Sequence, residues 1–181
     1  MAEKWFCKVV AALTLIGLLG AAACRDTGSE PYEIIGKLFV FNYRVATATY
    51  LVRLAPLQPM QEGETAVASF EDPAGGEDIV VQQKIWPKLQ KATIESPPLR
   101  CVVKDRPYKV SIRIEAADGS VRQTIETTMT SSEDQSILPD KPLVVGPVYT
   151  PNPELAGHPG GKLPNLEKLP CPSDAAGKQA G

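Results

Sequence analysis

Between Tyr108 and Ala116 apolar and polar residues alternate without a break: Tyr108, Val110, Ile112, Ile114 and Ala116 against Lys109, Ser111, Arg113 and Glu115. A period of two marks a strand with one buried face, because successive side chains of extended backbone point to opposite sides. Asp118-Gly119 follows, a pair suited to a two-residue hairpin turn since glycine tolerates positive φ. Placing those residues at the turn pairs Ala117 with Ser120. On the apolar face it sets Ala116 against Val121, Ile112 against Ile125, Val110 against Thr127 and Tyr108 against Met129. The other face brings Glu115 across from Arg122, a favourable charge pair. Hydrophobic pattern and turn chemistry therefore predict one register for a hairpin over residues 108–129.

Residues 37–54 carry a less regular signal. Phe39, Phe41, Tyr43 and Val45 are odd-numbered, whereas the later apolar set Tyr50, Val52 and Leu54 is even. A strand that changes parity must contain a bulge, a break or a passage between sheets. Ala46-Thr47-Ala48 is where the change falls, so the segment is expected to be one long bent strand or two strands joined at a corner. Further short strands are expected near Thr65–Phe70, Ile79–Ile85, Ala92–Glu95 and Leu99–Val103, with Pro97-Pro98 separating the last two and Asp72-Pro73-Ala74-Gly75-Gly76 forming a tight loop.

Seven or so antiparallel strands over residues 34–148 point to an all-β fold, an antiparallel β-sandwich of immunoglobulin-like or transthyretin-like type, with a small closed barrel as the alternative. Nine prolines occur from Pro139 to Pro172, too many for a helix or a central strand. Residues 149–181 are accordingly assigned to a proline- and glycine-rich extended tail, lying on the domain or trailing from it.

The chain opens differently. Lys4 and Lys8 precede an apolar stretch from Val9 to Leu19, and Gly20-Ala21-Ala22-Ala23 leads to Cys24. Charged, apolar and small-residue regions in that order form a secretory signal, and Val9 to Ala23 is short for a hydrocarbon core about 30 Å thick. The small residues before Cys24 resemble the lipid-attachment box of bacterial lipoproteins, with Ala21 where leucine is usual. That resemblance implies a signal peptide over 1–23, acylation of Cys24, attachment to a membrane through the N-terminal lipid, and a tether over 24–33. Residues 25–33 fully extended reach no more than about 30 Å. Arg25 stands where inner-membrane retention favours aspartate, so the resemblance implies an outer membrane lipoprotein facing the periplasm. The alternative is cleavage at Ala23 and release as a soluble periplasmic or secreted protein.

The cysteine count fits this picture. Cys7 leaves with the leader and Cys24 takes the lipid, so Cys101 and Cys171 remain as one pair in an oxidising compartment, where a disulfide is expected. Loss of Lys4, Lys8 and Glu3 changes the 19 basic and 21 acidic residues to 17 and 20. A slightly acidic mature chain argues against a nucleic-acid surface, which needs clustered basic residues.

Candidate chemistry is sparse. His158, the one histidine, sits in Ala156-Gly157-His158-Pro159-Gly160-Gly161, a loop composition with no partner to activate it. Glu71-Asp72 and Glu77-Asp78 flank a glycine pair but follow no calcium-loop order. No phosphate-binding, zinc or nucleophile-elbow motif occurs, and no catalytic residue, cofactor or metal site is assigned. Tyr149 and Asn152, in Gly146-Pro147-Val148-Tyr149-Thr150-Pro151-Asn152-Pro153, and Trp86, before Pro87, are the candidates for an interaction surface. The expected function is a membrane-anchored, non-catalytic adaptor that engages another envelope protein; the alternative is a periplasmic binding module for a small molecule, glycan or metal.

Overall fold

In the computed structural model, which describes residues 30–167 and 169–172, seven strands alternate with turns as the chain runs from Tyr32 to Thr130. The leader, Cys24 and residues 173–181 lie outside the described residues. The strands are β1 (Tyr32–Asn42), β2 (Thr47–Pro56), β3 (Thr65–Phe70), β4 (Ile79–Lys84), β5 (Ala92–Glu95), β6 (Pro107–Glu115) and β7 (Val121–Thr130). They form two antiparallel sheets with orders β1-β2-β5 and β4-β3-β6-β7. The two sheets pack as a sandwich in the immunoglobulin-like order, with the fourth strand paired to β3.

The core follows from period two on both layers. Tyr50, Val52 and Leu54 of β2 and Ile94 of β5 meet Ala66, Ala68 and Phe70 of β3 and Tyr108, Val110, Ile112 and Ile114 of β6, all buried. Tyr50 stacks on Phe70 with centroids 4.9 Å apart and meets Tyr108 edge-on at 6.2 Å. These aromatic rings bury large apolar areas and add specific ring contacts. Their hydroxyls are satisfied locally: Tyr50 donates to the Glu71 carbonyl at 3.0 Å, and Tyr108 accepts the Val103 N–H at 2.8 Å.

The β6–β7 hairpin has the expected register from Tyr108↔Met129 to Ile114↔Gln123, but not at its tip. Ala116 donates to the Ser120 carbonyl and Gly119 to the Ala116 carbonyl, so the loop is the three residues 117–119 rather than two. Gly119 takes φ +83°, the left-handed position of a bulged turn. Glu115 then faces Val121, and Arg122 becomes an extra residue that restores the register beyond it. The anticipated Glu115–Arg122 pair does not form. Glu115 pairs with Arg113 instead, and Arg122 turns to Glu64.

The parity change in residues 37–54 has a simpler cause than a bend or a sheet crossing. β1 and β2 are neighbours in one sheet, joined by a turn over residues 43–46 between the paired Asn42 and Thr47. Asn42 accepts the Arg44 N–H through its side chain, and Ala46 adopts φ +55° without a glycine to mark it. A bulge at Ile35, between the pairs at Ile34 and Gly36, adds a second parity change within β1. Residues 99–103 are not a strand: Leu99 makes only an isolated bridge to Ala48, and Cys101 at φ +65° breaks the extended path.

Two ends of the sandwich can be defined. Tyr32 donates to the Glu64 carboxylate at 2.5 Å, and Ile85 donates to the Glu64 carbonyl at 2.9 Å. The start of β1, the start of β3 and the end of β4 therefore share the proximal end. The β1–β2 turn lies at the distal end, an 11-residue strand away, about 35 Å at the usual rise per residue. Leu99 donates to Ala48 at the start of β2, which puts the segment around Cys101 at the distal end too.

Past β7 the chain forms single 3-10 turns at Gln135–Ile137 and Pro153–Leu155 and a small hairpin of β8 (Val144–Val145) and β9 (Thr150–Pro151).

Candidate functional site

A groove of about 770 Å³, open along one side, occupies the distal end. Leu99, Val102 and Leu138, all nearly inaccessible, form its floor; Leu166 and Leu169 line its outer wall, and Arg100, Asp134, Asp140, Lys162 and Glu167 are its charged members. Its shape comes from side chains that tie three irregular segments together. Gln135 accepts the Val102 N–H at 3.0 Å and donates to the Leu99 carbonyl at 2.8 Å, so one amide side chain substitutes for the strand pairing that residues 99–103 lack. The Ser136 N–H donates to Asp134 at 2.9 Å and holds that carboxyl below the usual carboxylate range.

The outer wall is the C-terminal segment, fastened at several points. Cys101 and Cys171 are joined in a disulfide with Cα atoms 5.5 Å apart. Lys162 donates to the Ser136 carbonyl at 2.6 Å and to the Leu138 carbonyl, and its ammonium lies 3.7 Å from Asp140. Asp140 accepts the Leu163 N–H at 2.8 Å and donates its own N–H to the Gly161 carbonyl. Gly161, at φ +69°, passes so close that a Cβ there would lie 2.5 Å from Pro139 Cβ. Two of the four non-glycine residues with positive φ among the described residues, Ala46 and Cys101, line the groove. Backbone in that region costs about 1–3 kcal/mol per residue and persists only where surrounding structure imposes it.

Cys101 and Cys171 are joined as expected, but the residues singled out for an interaction surface are not brought together. Tyr149, more than half exposed, sits in the turn of the β8–β9 hairpin with the Arg44 guanidinium 5.1 Å from its ring centre, which places it at the distal end. Asn152 is nearly buried and structural: it donates to the Pro142 carbonyl at 2.7 Å and accepts the Glu154 N–H at 3.0 Å as the cap of a 3-10 turn. Trp86 is half-exposed at the proximal end, following the buried Ile85, with Lys84 Nζ 4.5 Å from its ring centre. Tyr149 and Trp86 thus occupy opposite ends. His158 borders a shallow notch of about 250 Å³ with Leu163 and Asn165. Asp72 accepts from the N–H groups of Ala74 and Gly76, which fixes the acidic loop as a turn. Among the described residues no group of three or more His, Cys, Asp or Glu side chains is placed to hold a metal ion.

The sequence reading did not foresee a buried polar cluster at the proximal end. Glu64 is wholly buried; its carboxylate is ion-paired to Arg122 and accepts from the Tyr32 hydroxyl and, at 3.1 Å, from the Gln61 N–H. Gln123 exchanges two hydrogen bonds with the Tyr32 backbone, at 3.0 and 2.9 Å, joining β7 to β1 across the two sheets. Burial raises the Tyr32 phenol above its ordinary 10.0, with the Arg122 charge opposing the effect. Every polar group here has a partner, as a buried network requires. Its chemistry is that of a brace.

No family model matches the chain, and no curated protein matches it. Among solved structures, an endonuclease/exonuclease/phosphatase from Beutenbergia cavernae aligns over 52% of this chain and 27% of its own, with 14% identity and a TM-score of 0.28.

Proposed function

We propose that the protein is a non-catalytic interaction module of the cell envelope, an outer membrane lipoprotein held at Cys24 and facing the periplasm, whose distal groove receives a segment of another envelope protein. The observation that supports it most is the groove itself: an apolar floor, charged members and a wall fixed by a disulfide, so that little ordering entropy is lost when a partner docks. Leu169, Tyr149 and Val148 are exposed at the same end and add apolar and aromatic contact area around it. A groove of this volume also falls in the range of small-molecule sites, but its open side suits a chain segment better than a ligand that must be enclosed.

The test uses residues whose loss leaves the core intact. A photo-crosslinking amino acid at Leu169 or Tyr149 should capture a discrete envelope protein in intact cells, and the same residue at Val80 in β4 should not. Leu169→Asp should weaken binding of the purified partner at least about tenfold, which is 1.4 kcal/mol, with an unchanged melting temperature. Equal capture from Leu169 and Val80, or an unchanged affinity, removes the groove from the account. The anchor is tested separately: Cys24→Ser should move the protein out of the membrane fraction, and wild-type protein already soluble in the periplasm would refute the lipid.

A further inference from the structure

We infer that the loop from Lys84 to Lys91 at the proximal end is a contact site for an anionic lipid bilayer, resting on its surface while the distal groove faces away. Trp86 to Lys91 is exposed throughout, immediately after the buried Ile85, so the loop is held by the core yet projects from it. Trp86 and Leu89 are both about half exposed, and the Leu89 N–H donates to the Trp86 carbonyl at 2.9 Å, closing a turn that presents the two apolar side chains together. All three charges of the segment are lysines, Lys84, Lys88 and Lys91, in a chain that is acidic overall. A tryptophan beside flexible lysines matches the boundary between headgroups and acyl chains, where the indole is part apolar and part polar and the ammonium groups meet phosphate. Glu62 and Asp118 lie on neighbouring proximal turns, which limits the contact to this loop.

Chain length points to the same occupant. The folded domain begins at the proximal end, where Leu57 donates to the Pro31 carbonyl at 2.8 Å. From Cys24 to Pro31 an extended chain reaches at most about 25 Å, so an anchor at Cys24 keeps this end, and not the distal one, within reach of the bilayer. The inference rests on the lipoprotein reading in that respect.

Trp86 provides the probe, since the other tryptophan, Trp5, belongs to the leader. The mature protein, its acylation read from its mass, is reconstituted into vesicles of phosphatidylethanolamine with phosphatidylglycerol. Trp86 emission should shift to the blue, lose quenching by acrylamide and gain quenching by brominated lipid. In Lys84→Glu/Lys88→Glu/Lys91→Glu, or in zwitterionic vesicles, that protection should be lost while far-ultraviolet circular dichroism stays the same. Persistent acrylamide quenching in the anchored wild type, or protection unaffected by charge reversal, overturns the inference. If the mass shows no acyl group, the same vesicles are added to the unacylated chain. A blue shift there still supports the loop as a lipid site with the anchor refuted, and no shift overturns it.

Discussion

Arg122→Ala perturbs the one place among the described residues where a charged side chain is wholly buried. Glu64 has no accessible surface, and its carboxylate is met by Arg122, Tyr32 and the Gln61 N–H. Removing the guanidinium leaves the carboxylate with two neutral donors and no counter-charge. Breaking a buried ion pair on one side costs about 3–5 kcal/mol. The Arg122 side chain is 20% exposed, so water enters the gap and the lower figure, about 3 kcal/mol, is expected. For a domain of this size that is a fall of about 10 °C in melting temperature. Urea and thermal unfolding of the oxidised protein at pH 7 would measure it. Two companions separate charge from shape: Glu64→Gln/Arg122→Met should recover part of the loss, and a cycle with Tyr32→Phe should show coupling of about 1 kcal/mol or more. A change below about 0.5 kcal/mol for Arg122→Ala, the range of ordinary surface substitutions, would refute the brace.

Replacing Cys101 and Cys171 with alanine opens a closure spanning 70 residues and should cost up to about 4 kcal/mol, read as a lower urea midpoint. Stability should also fall at alkaline pH. Burial raises the Tyr32 and Tyr50 phenols above 10.0 in the folded chain, so their contribution is complete below about pH 10 and is lost as pH rises and the unfolded phenols ionise first. A urea midpoint that stays constant from pH 9 to strongly alkaline solution would contradict this. Gly161→Ala forces a Cβ against Pro139 and Leu143 and should cost about 1–3 kcal/mol, visible as faster proteolysis of the C-terminal segment; an unchanged cleavage rate would mean that the close approach is easily relieved.

Regular alternation was readable, and irregular connections were not. The strand over 107–115 was legible because one face is buried and parity then dictates side-chain direction, and those over 65–70, 79–84 and 92–95 because short runs of strand-forming residues lie between turn residues. The hairpin tip misled because a three-residue loop and a bulge at Arg122 cancel in register, so the pairing beyond Ile114 looks like that of a two-residue turn. The β1–β2 turn was hidden because Ala46 adopts positive φ without the glycine that usually announces it. Most of the groove was out of reach for a related reason. Its walls are loops joined by Gln135, Lys162 and a disulfide, and no periodicity records which loops a single amide or ammonium will bind. Glu64 had no signal either, because a glutamate before a strand is ordinarily exposed.

The most direct test of the central claim is a hydrogen-exchange footprint of the purified protein with the envelope partner captured at Leu169. The account predicts added protection in residues 99–103, 134–140 and 162–167, which frame the groove, with the Trp86 loop and β4 unchanged. Protection confined to β4 or to the proximal end, with the groove segments exchanging as in the free protein, would contradict it.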